Sequence, residues 1–400
     1  MKAGRSLTEL AAELERQVNT RRDFLAATPQ LEMRVKPNAA GDRPAGVALA
    51  LDKNGEFGIN RLGHEQIAGH VEIPQRYYDR MLEQAPQLLA TNVNERFRRP
   101  PVPRPEGMDA VAEQARRLER MHNRVANIRQ VAPRVDMRRL VRTLDGNVRA
   151  FLSPRYRPLD NHDLAEVVLP ELTERGCKVE SMELTERRFY IKASMPSLEM
   201  PVPGSKRVGD VVRMMLTISN SEVGSGALRI EPSAFFLVCL NGAIFETALK
   251  RYHVGRVAEL EAEVREILST EARAADDRAL WLKVRDTVRV AFDRDFFAAQ
   301  VARLGEATQD RIASTNVEAI VDTAIETLSL QPALRGSILR NFISPPEGGA
   351  ADFSRYGLLN AITATANGVE DYEMATALEH AGGKVLELPK VSWKRIAEAA

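Results

Sequence analysis

Basic and aromatic side chains interleave at three places in the chain, and this pattern bears most directly on chemistry. The side chains concerned are Arg149, Arg155, Tyr156, Arg157, Arg188, Tyr190 and Lys192. Cations bind phosphates and aromatic rings stack on bases, so the pattern predicts a groove for single-stranded nucleic acid. The alternative is that the rings belong to the core and that the arginines pair with Asp160, Asp163 and Glu186.

Positive charge is concentrated in one window of the chain. Residues 93–157 contain sixteen arginines, no lysine and seven acidic residues, which gives +9, whereas the whole chain carries only +1. A basic block in an otherwise acidic protein is typical of a polyanion-binding surface. We expect three arginines at helical spacing to form a row on one helix face of this surface: Arg116, Arg120 and Arg124. The alternative is a solvated helix face with internal ion pairs such as Glu113 with Arg117.

Other kinds of site are missing from the sequence. His64 and His70 are six residues apart, which is not a ligand spacing along a helix, and the remaining four histidines are scattered singly. We find no phosphate-binding glycine loop, nucleophile elbow or Cys-x-x-Cys motif. We therefore expect no metal, no cofactor, no catalytic residue and no enzymatic activity. Cys177 and Cys239, both on predicted strands, are expected to be reduced thiols.

A central sheet is predicted between Val141 and Thr247, where strand periodicity and turn residues alternate. The predicted strands are Asn147–Ser153, Cys177–Glu183, Arg187–Met195, Asp210–Asn220, Ala227–Ile230 and Phe235–Leu240. Side chains alternate between the two faces of a strand, so Phe189 and Ile191 point one way and Tyr190 the other. We therefore expect Tyr190 to be the ring that the core needs least.

The fold class expected is α+β, with a central, mostly antiparallel sheet and helical N-terminal and C-terminal regions. The predicted regions are 1–100 as an N-terminal α+β subdomain, 101–145 as an arginine-rich helical insertion, 146–250 as the sheet, 251–343 as long amphipathic helices, and 350–400 as C-terminal helices. In the last region, helices are expected to end at Asn367-Gly368 and at Gly382-Gly383. The C-terminal helices are expected to allow a homo-oligomer. No apolar run approaches the ~20 residues of a membrane span, so we expect a cytoplasmic protein.

Two local motifs stand near the N-terminus. Asn54-Gly55 predicts a hairpin turn between short strands. Residues 62–80 predict a helix, a turn and a second helix opened by Pro74, an arrangement that would present Gln75, Arg76 and Tyr78 to a duplex groove. The alternative is an ordinary pair of packed helices.

Five segments together resemble a known family. They are Ile67–Tyr77, Arg149–Asn161, Leu216–Ala227, Val238–Gly242 and Tyr356–Thr363. In this order they resemble the phage- and plasmid-borne family called domain of unknown function 932. The chain differs from that family by Glu222 in place of a frequent His-Asp and by the arginine-rich insertion near residues 96–142. The family has no established activity, but its mobile-element setting and a layout similar to single-strand annealing proteins imply DNA handling.

We therefore expect single-stranded DNA binding, extending to strand annealing, in phage or plasmid recombination or replication. Two other functions stay open. One is a regulator that binds duplex DNA through residues 62–80, and the other is a non-enzymatic assembly protein of a mobile element.

Overall fold

The structure is a computed structural model that describes residues 4, 6–37, 44–98, 138–245, 249–251, 270–346, 348 and 350–399. The chain divides into two compact units, one of Thr20–Pro154 and a larger one of Met1–Asn19 with Arg155–Ala400. The content of helices and strands confirms the α+β class. The predicted arginine row, Arg116, Arg120 and Arg124, lies outside the described residues.

Helix α1 (Leu7–Thr20) begins the described chain, and its Leu10 and Leu14 belong to the core of the larger unit. The smaller unit then has six strands: β1 (Arg22–Ala27), β2 (Leu31–Pro37), β3 (Pro44–Leu51), β4 (Glu56–Ile59), β5 (Arg138–Leu144) and β6 (Asn147–Leu152). Its helices within the described residues are α2 (Arg61–His70), α3 (Gln75–Gln84) and α4 (Pro86–Arg98). The sheet order is β1-β5-β6-β4-β3-β2, and only the β4–β6 pair in this path is parallel.

The prediction of a single sheet is wrong, because β6 pairs with β4 and β5 in the smaller unit. Both local motifs near the N-terminus are confirmed as structures. β3 and β4 form an antiparallel hairpin in which Gly55 has φ +103°. Pro74 directly precedes α3, and Glu72 in the turn before it has φ +55°, a conformation that glycine adopts with less strain.

The larger unit contains the second sheet, in which every strand pair formed by described residues is antiparallel. Its elements are α5 (Asn161–Glu174), β7 (Lys178–Leu184), β8 (Phe189–Pro201), β9 (Val211–Asn220), β10 (Leu228–Phe236), β11 (Asn241–Ile244), β12 (Leu249–Arg251), α6 (Thr270–Ala291), α7 (Arg294–Gln309), α8 (Val317–Leu328), α9 (Arg335–Ile343), α10 (Arg355–Thr365), α11 (Tyr372–Glu387) and α12 (Lys390–Ala397). The strand order is β11-β10-β9-β8-β7, and β12 also pairs with β10.

Two predicted boundaries in this unit are wrong. The predicted strands Ala227–Ile230 and Phe235–Leu240 are one strand, β10, which ends at Phe236, so Cys239 lies in the following turn. The second is Gly382-Gly383, where α11 continues instead of ending. A Cβ atom at Gly383 would lie 1.7 Å from the carbonyl oxygen of Ile244, so glycine here allows the helix to approach β11.

The C-terminal helices α10, α11 and α12 contribute their apolar side chains to the core of the larger unit. None of the helices in the described ranges combines the length and apolar character needed to cross a bilayer.

Candidate functional site

Polar residues form two adjacent rows across one face of the second sheet. Strand pairing aligns Tyr190 of β8 with Ser219 of β9, and Ser219 with Arg229 of β10. The next row aligns the following residues, from β7 to β10: Ser181, Lys192, Thr217 and Glu231. Period-two alternation in three successive strands therefore builds a continuous polar face.

Helix α11 covers the second of these rows. The Lys192 Nζ atom donates to Glu379 Oε2 at 2.5 Å, and both side chains are 0% exposed. The same ammonium lies 4.8 Å from the ring centroid of Tyr372. Tyr372 in turn exchanges a hydrogen bond of 2.7 Å with Ser181. The helix thus matches the polar strand face with a polar stripe of its own.

The prediction that one face of β8 is exposed and stacks on bases is therefore wrong. Tyr190 is only 3% exposed and its ring lies 5.1 Å from that of Tyr372. Lys192 has no exposed area and cannot reach a phosphate outside the protein. The alternation of β8 was predicted correctly, but a helix more than 170 residues later in the chain covers the face that we expected to be open.

The first polar row lies in a cleft of about 560 Å³ formed by the sheet, α11 and the segment between α8 and α9, which contributes Ser329, Leu330, Gln331 and Leu334. From the sheet side, the cleft is lined by Arg188, Tyr190, Ser219 and Arg229. The Arg188 guanidinium donates to the carbonyl oxygen of Ser225 at 2.8 Å. One guanidinium nitrogen of Arg229 lies 3.6 Å from Glu231. Of the ten residues predicted to bind nucleic acid, Arg188 and Tyr190 line this cleft.

Carboxylates line the helix side of the cleft. Asp371 accepts a hydrogen bond of 2.6 Å from the backbone N–H of Met374 and so caps α11. Glu373 accepts a hydrogen bond of 2.9 Å from the Thr185 hydroxyl. Burial, followed by these carboxylates, raises the pKa of Tyr190 well above its usual range, while Arg188 and Arg229 oppose the shift. All four charges therefore act on the Tyr190 hydroxyl.

His380 lies at the boundary between the two rows. Its Nε2 atom is 3.4 Å from Glu231 Oε2. Burial, and then the positive charge of Arg229, lowers the pKa of His380 to about 3. The imidazole is neutral at pH 7, so the charged side chains of the lining are two arginines and two carboxylates.

Two polar atoms in the lining have no hydrogen-bond partner among the described residues. They are the hydroxyl of Thr376 and Nε of Arg229. Thr376 is only 4% exposed. Buried polar atoms are nearly always paired with protein, water or ligand. Thr376, His380 and Arg229 were missed from the sequence. The available signal was the spacing of Tyr372, Thr376, Glu379 and His380, which lie on one face of a helix.

The other predicted binding residues serve mainly internal contacts. The Tyr156 hydroxyl donates to the carbonyl oxygen of Ser221 at 2.8 Å. Arg157 is buried and pairs with Asp276 at 2.9 Å and with Asp277. Arg149 is also buried, in β6 of the smaller unit, whereas Arg155 is exposed. Burial removes Arg149, Tyr156 and Arg157 from any surface groove, which corrects the prediction for these three.

Arginines of the basic window that lie in the smaller unit also make specific contacts. Arg142 is fully buried and pairs with Asp23 at 2.9 Å. A guanidinium nitrogen of Arg139 lies 2.9 Å from His70 Nδ1, and Arg96 donates to the carbonyl oxygen of Val71 at 2.7 Å. Part of the +9 charge therefore supports the fold.

The helix pair α2–α3 presents fewer residues than expected. Tyr78 is fully buried and its hydroxyl lies 2.9 Å from His64 Nδ1, so the prediction that it faces a DNA groove is wrong. Burial lowers the pKa of His64 to about 4. Gln75 is half-buried and Arg76 is exposed.

His162, Asp163 and Glu166 place ligand atoms within 4.8 Å of one another on the first turns of α5. No metal ligand was predicted here from the sequence, and the three side chains are half-buried or exposed. Cys177 and Cys239 are both reduced thiols, as predicted.

Two segments used for the family resemblance meet beside α5. The Asn220 amide donates to the carbonyl oxygen of Leu159 at 2.7 Å and to Asn161 Oδ1 at 2.8 Å. Glu222 Oε1 accepts a hydrogen bond of 2.6 Å from the backbone N–H of Asn161. Glu222, where the family often has His-Asp, thus caps α5 from a distant turn.

A family model described as "Domain of unknown function (DUF932)" matches residues 149–367. This span contains four of the five signature segments and the sheet side of the cleft, whereas Ile67–Tyr77 and α11 lie outside it. No curated protein and no solved structure matches the chain. Because the family model covers more than half of the 400 residues, the chain belongs to the family of domain of unknown function 932.

Proposed function

We propose that this protein binds single-stranded DNA and that one nucleotide of the strand enters the cleft between the second sheet and α11. The observation that carries the proposal is the presence of two arginines, Arg188 and Arg229, in the lining of one cleft of about 560 Å³. Pockets that hold small organic ligands have volumes of roughly 300–1,000 Å³, a range that includes a nucleotide-sized group. Guanidinium groups bind phosphate oxygens in bidentate geometry.

A cleft that takes in one nucleotide should bind a single strand in preference to a duplex. A base in a duplex is paired and stacked, and moving it into a pocket costs a few kcal/mol, whereas a base of a single strand is already accessible. Phosphates on either side of the inserted nucleotide would lie at the cleft mouth. The arginine window supplies positive charge elsewhere in the chain for sequence-independent attraction of the strand.

The experiment is a competition between single-stranded and duplex oligonucleotides, measured by fluorescence anisotropy at several salt concentrations. We expect the wild-type protein to prefer the single strand. Arg188→Gln and Arg229→Gln should each weaken binding and reduce the slope of log affinity against log salt by up to ~0.7. Arg188→Lys and Arg229→Lys keep the charge and separate its loss from the loss of guanidinium geometry.

Two further variants assign binding to parts of the chain. Arg76→Gln is the matched control on α3 and should leave single-strand affinity unchanged, whereas a loss of duplex binding would favour a regulator that uses residues 62–80. Replacing Arg116, Arg120 and Arg124 with glutamine tests the arginine row by the same salt slope. Equal affinities of all variants would overturn the proposal. Annealing of complementary oligonucleotides by the wild-type protein tests the extension to strand annealing.

A further inference from the structure

We infer that the cleft discriminates between bases and favours cytosine or adenine over thymine. This inference rests on the proposed function and specifies which nucleotide the cleft accepts. The observation behind it is the mixed charge of the lining, in which Arg188 and Arg229 face the cleft together with Asp371 and Glu373. A site that bound only phosphate would gain nothing from two carboxylates, because they repel the anion.

Carboxylates in a nucleotide site have a specific use, since they accept hydrogen bonds from exocyclic amino groups such as N4 of cytosine. The Asp371 carboxylate already caps α11 through the Met374 N–H. The Glu373 carboxylate is held by the Thr185 hydroxyl at 2.9 Å through Oε1. Two carboxylate oxygens offer about four acceptor positions, so this bond orients Glu373 without exhausting its capacity. Glu373 is therefore the residue that we assign to reading the amino group.

Donors for the rest of the base edge are present in the same lining. The Thr376 hydroxyl and the Arg229 Nε–H have no hydrogen-bond partner among the described residues. Thr376 is only 4% exposed and lies one helical turn beyond Glu373. Cytosine and adenine each carry a ring-nitrogen acceptor next to the amino group, so an acceptor beside a donor complements their edge. Thymine carries a carbonyl oxygen where the amino group would be, and that oxygen is repelled by a carboxylate.

The test compares short oligothymidylate with the same oligonucleotide carrying one central deoxycytidine, by anisotropy with wild-type protein. We expect the deoxycytidine to increase affinity at least about fivefold, because base discrimination by a well-placed polar contact has that order. Deoxyadenosine at the same position should act in the same direction. Equal affinity of the three oligonucleotides overturns the inference.

Variants of the lining make the test specific. Glu373→Gln replaces an acceptor-only group with an amide that can donate to the thymine carbonyl, so the preference should disappear or reverse. Thr376→Val removes the hydroxyl at nearly constant volume and should reduce the preference. Thr185→Val removes the support of Glu373 but keeps its carboxylate, and Glu387→Gln is the control at the exposed far end of α11. A preference unchanged by Glu373→Gln also overturns the inference.

The two proposals fail in distinguishable ways. If no single-stranded oligonucleotide binds, the proposed function fails. If oligothymidylate binds tightly and the deoxycytidine adds nothing, the proposed function stands and the base discrimination fails. Circular dichroism of each variant confirms that altered affinity does not come from loss of fold.

Discussion

The two faces of strand β8 differ in composition but not in exposure. On one face, Phe189 and Ile191 join a core cluster with apolar side chains of α5 and α6. On the other, Tyr190 and Lys192 are equally buried, against polar groups of α11. Alternating polarity along a strand usually indicates that one face is buried and the other is solvated. In β8 it separates a face buried against apolar side chains from a face buried against polar ones. The pattern therefore reports the chemistry of each face and not its accessibility to water.

The largest expected effect tests the ion pair on the polar face. Lys192→Met leaves Glu379 as a buried carboxylate without its cation, and we expect it to lower the free energy of unfolding by about 3 to 5 kcal/mol. Replacing both residues with methionine should recover most of this loss, because no buried charge remains. Urea denaturation measures both. The control is Lys394→Met in an exposed pair with Glu398, worth about 0 to 1 kcal/mol. A loss below about 1 kcal/mol for Lys192→Met would mean that α11 does not seal this face.

A second pair of variants compares the two faces directly. Phe189→Ala should destabilise by about 3 to 5 kcal/mol through an internal cavity, and Tyr190→Ala should cost about 3 kcal/mol because its ring is also enclosed. Thermal or urea unfolding gives both values. Tyr77→Ala, at a residue that is 56% exposed, should change stability by less than about 0.5 kcal/mol. If Tyr190→Ala behaved like Tyr77→Ala, the polar face would be open after all.

Local pattern was sufficient to predict several elements and insufficient to predict their partners. The hairpin at Asn54-Gly55 and the helix pair around Pro74 depend on neighbouring residues, and both were predicted. The placement of β6 in a separate sheet depends on its pairing with β4, about 90 residues earlier, which no local period encodes. In the same way, Gly383 matches a helix-ending signal, but its close approach to Ile244 gives it a different role.

The candidate site was predicted in part for the same reason. Arg188 and Tyr190 were found from alternation within one strand. Arg229, Thr376 and His380 reach the cleft only through strand register and through a helix that packs from far along the chain. Tyr156 and Arg157 were predicted to bind because their types fit, but their hydrogen bonds and ion pairs hold the turn after β9 and α6.

The third prediction uses pH to probe the polar face. Folding lowers the pKa of His380 from 6.5 to about 3, so the unfolded chain binds more protons between these values. Stability should therefore rise with pH through this window and fall as the solution is acidified. The charged groups that act on His380 or lie beside it are Arg188, Lys192, Arg229, Glu231 and Lys384. His380→Gln should reduce the slope of unfolding free energy against pH by up to about 1.4 kcal/mol per pH unit.

The pH experiment has an internal reference. His64 and His70 of the smaller unit also have a pKa lowered to about 4, so the wild-type curve contains their contributions. The difference between wild type and His380→Gln isolates the larger unit. Identical slopes of the two proteins would show that the His380 ring stays accessible to water in the folded state.

The smallest expected effect concerns Glu222, whose carboxylate lies at the N-terminus of α5. Helix α5 contributes Leu164 and Leu172 to the apolar core, and its N-cap residue Asp160 makes no side-chain cap bond. Glu222 accepts from the Asn161 N–H instead, at 2.6 Å. A carboxylate at a helix N-terminus satisfies a free N–H and interacts favourably with the helix dipole. Glu222→Ala should therefore cost about 1 kcal/mol, in the range of a lost N-cap.

Two matched variants decide whether Glu222 acts as a cap. Glu222→Gln keeps an acceptor oxygen and should lose only the charge-dependent part, a few tenths of a kcal/mol. Asp293→Ala removes the local cap of α7, whose carboxylate accepts from the Phe296 N–H, and should match Glu222→Ala at about 1 kcal/mol. A loss for Glu222→Ala as large as that for Lys192→Met would mean that the turn after β9 depends on this carboxylate. A charge at a helix end contributes about 1 kcal/mol to the free energy of unfolding. Removing one member of a charge pair that is enclosed between a sheet and a helix costs about 3 to 5 kcal/mol, because the other charge stays buried without its partner.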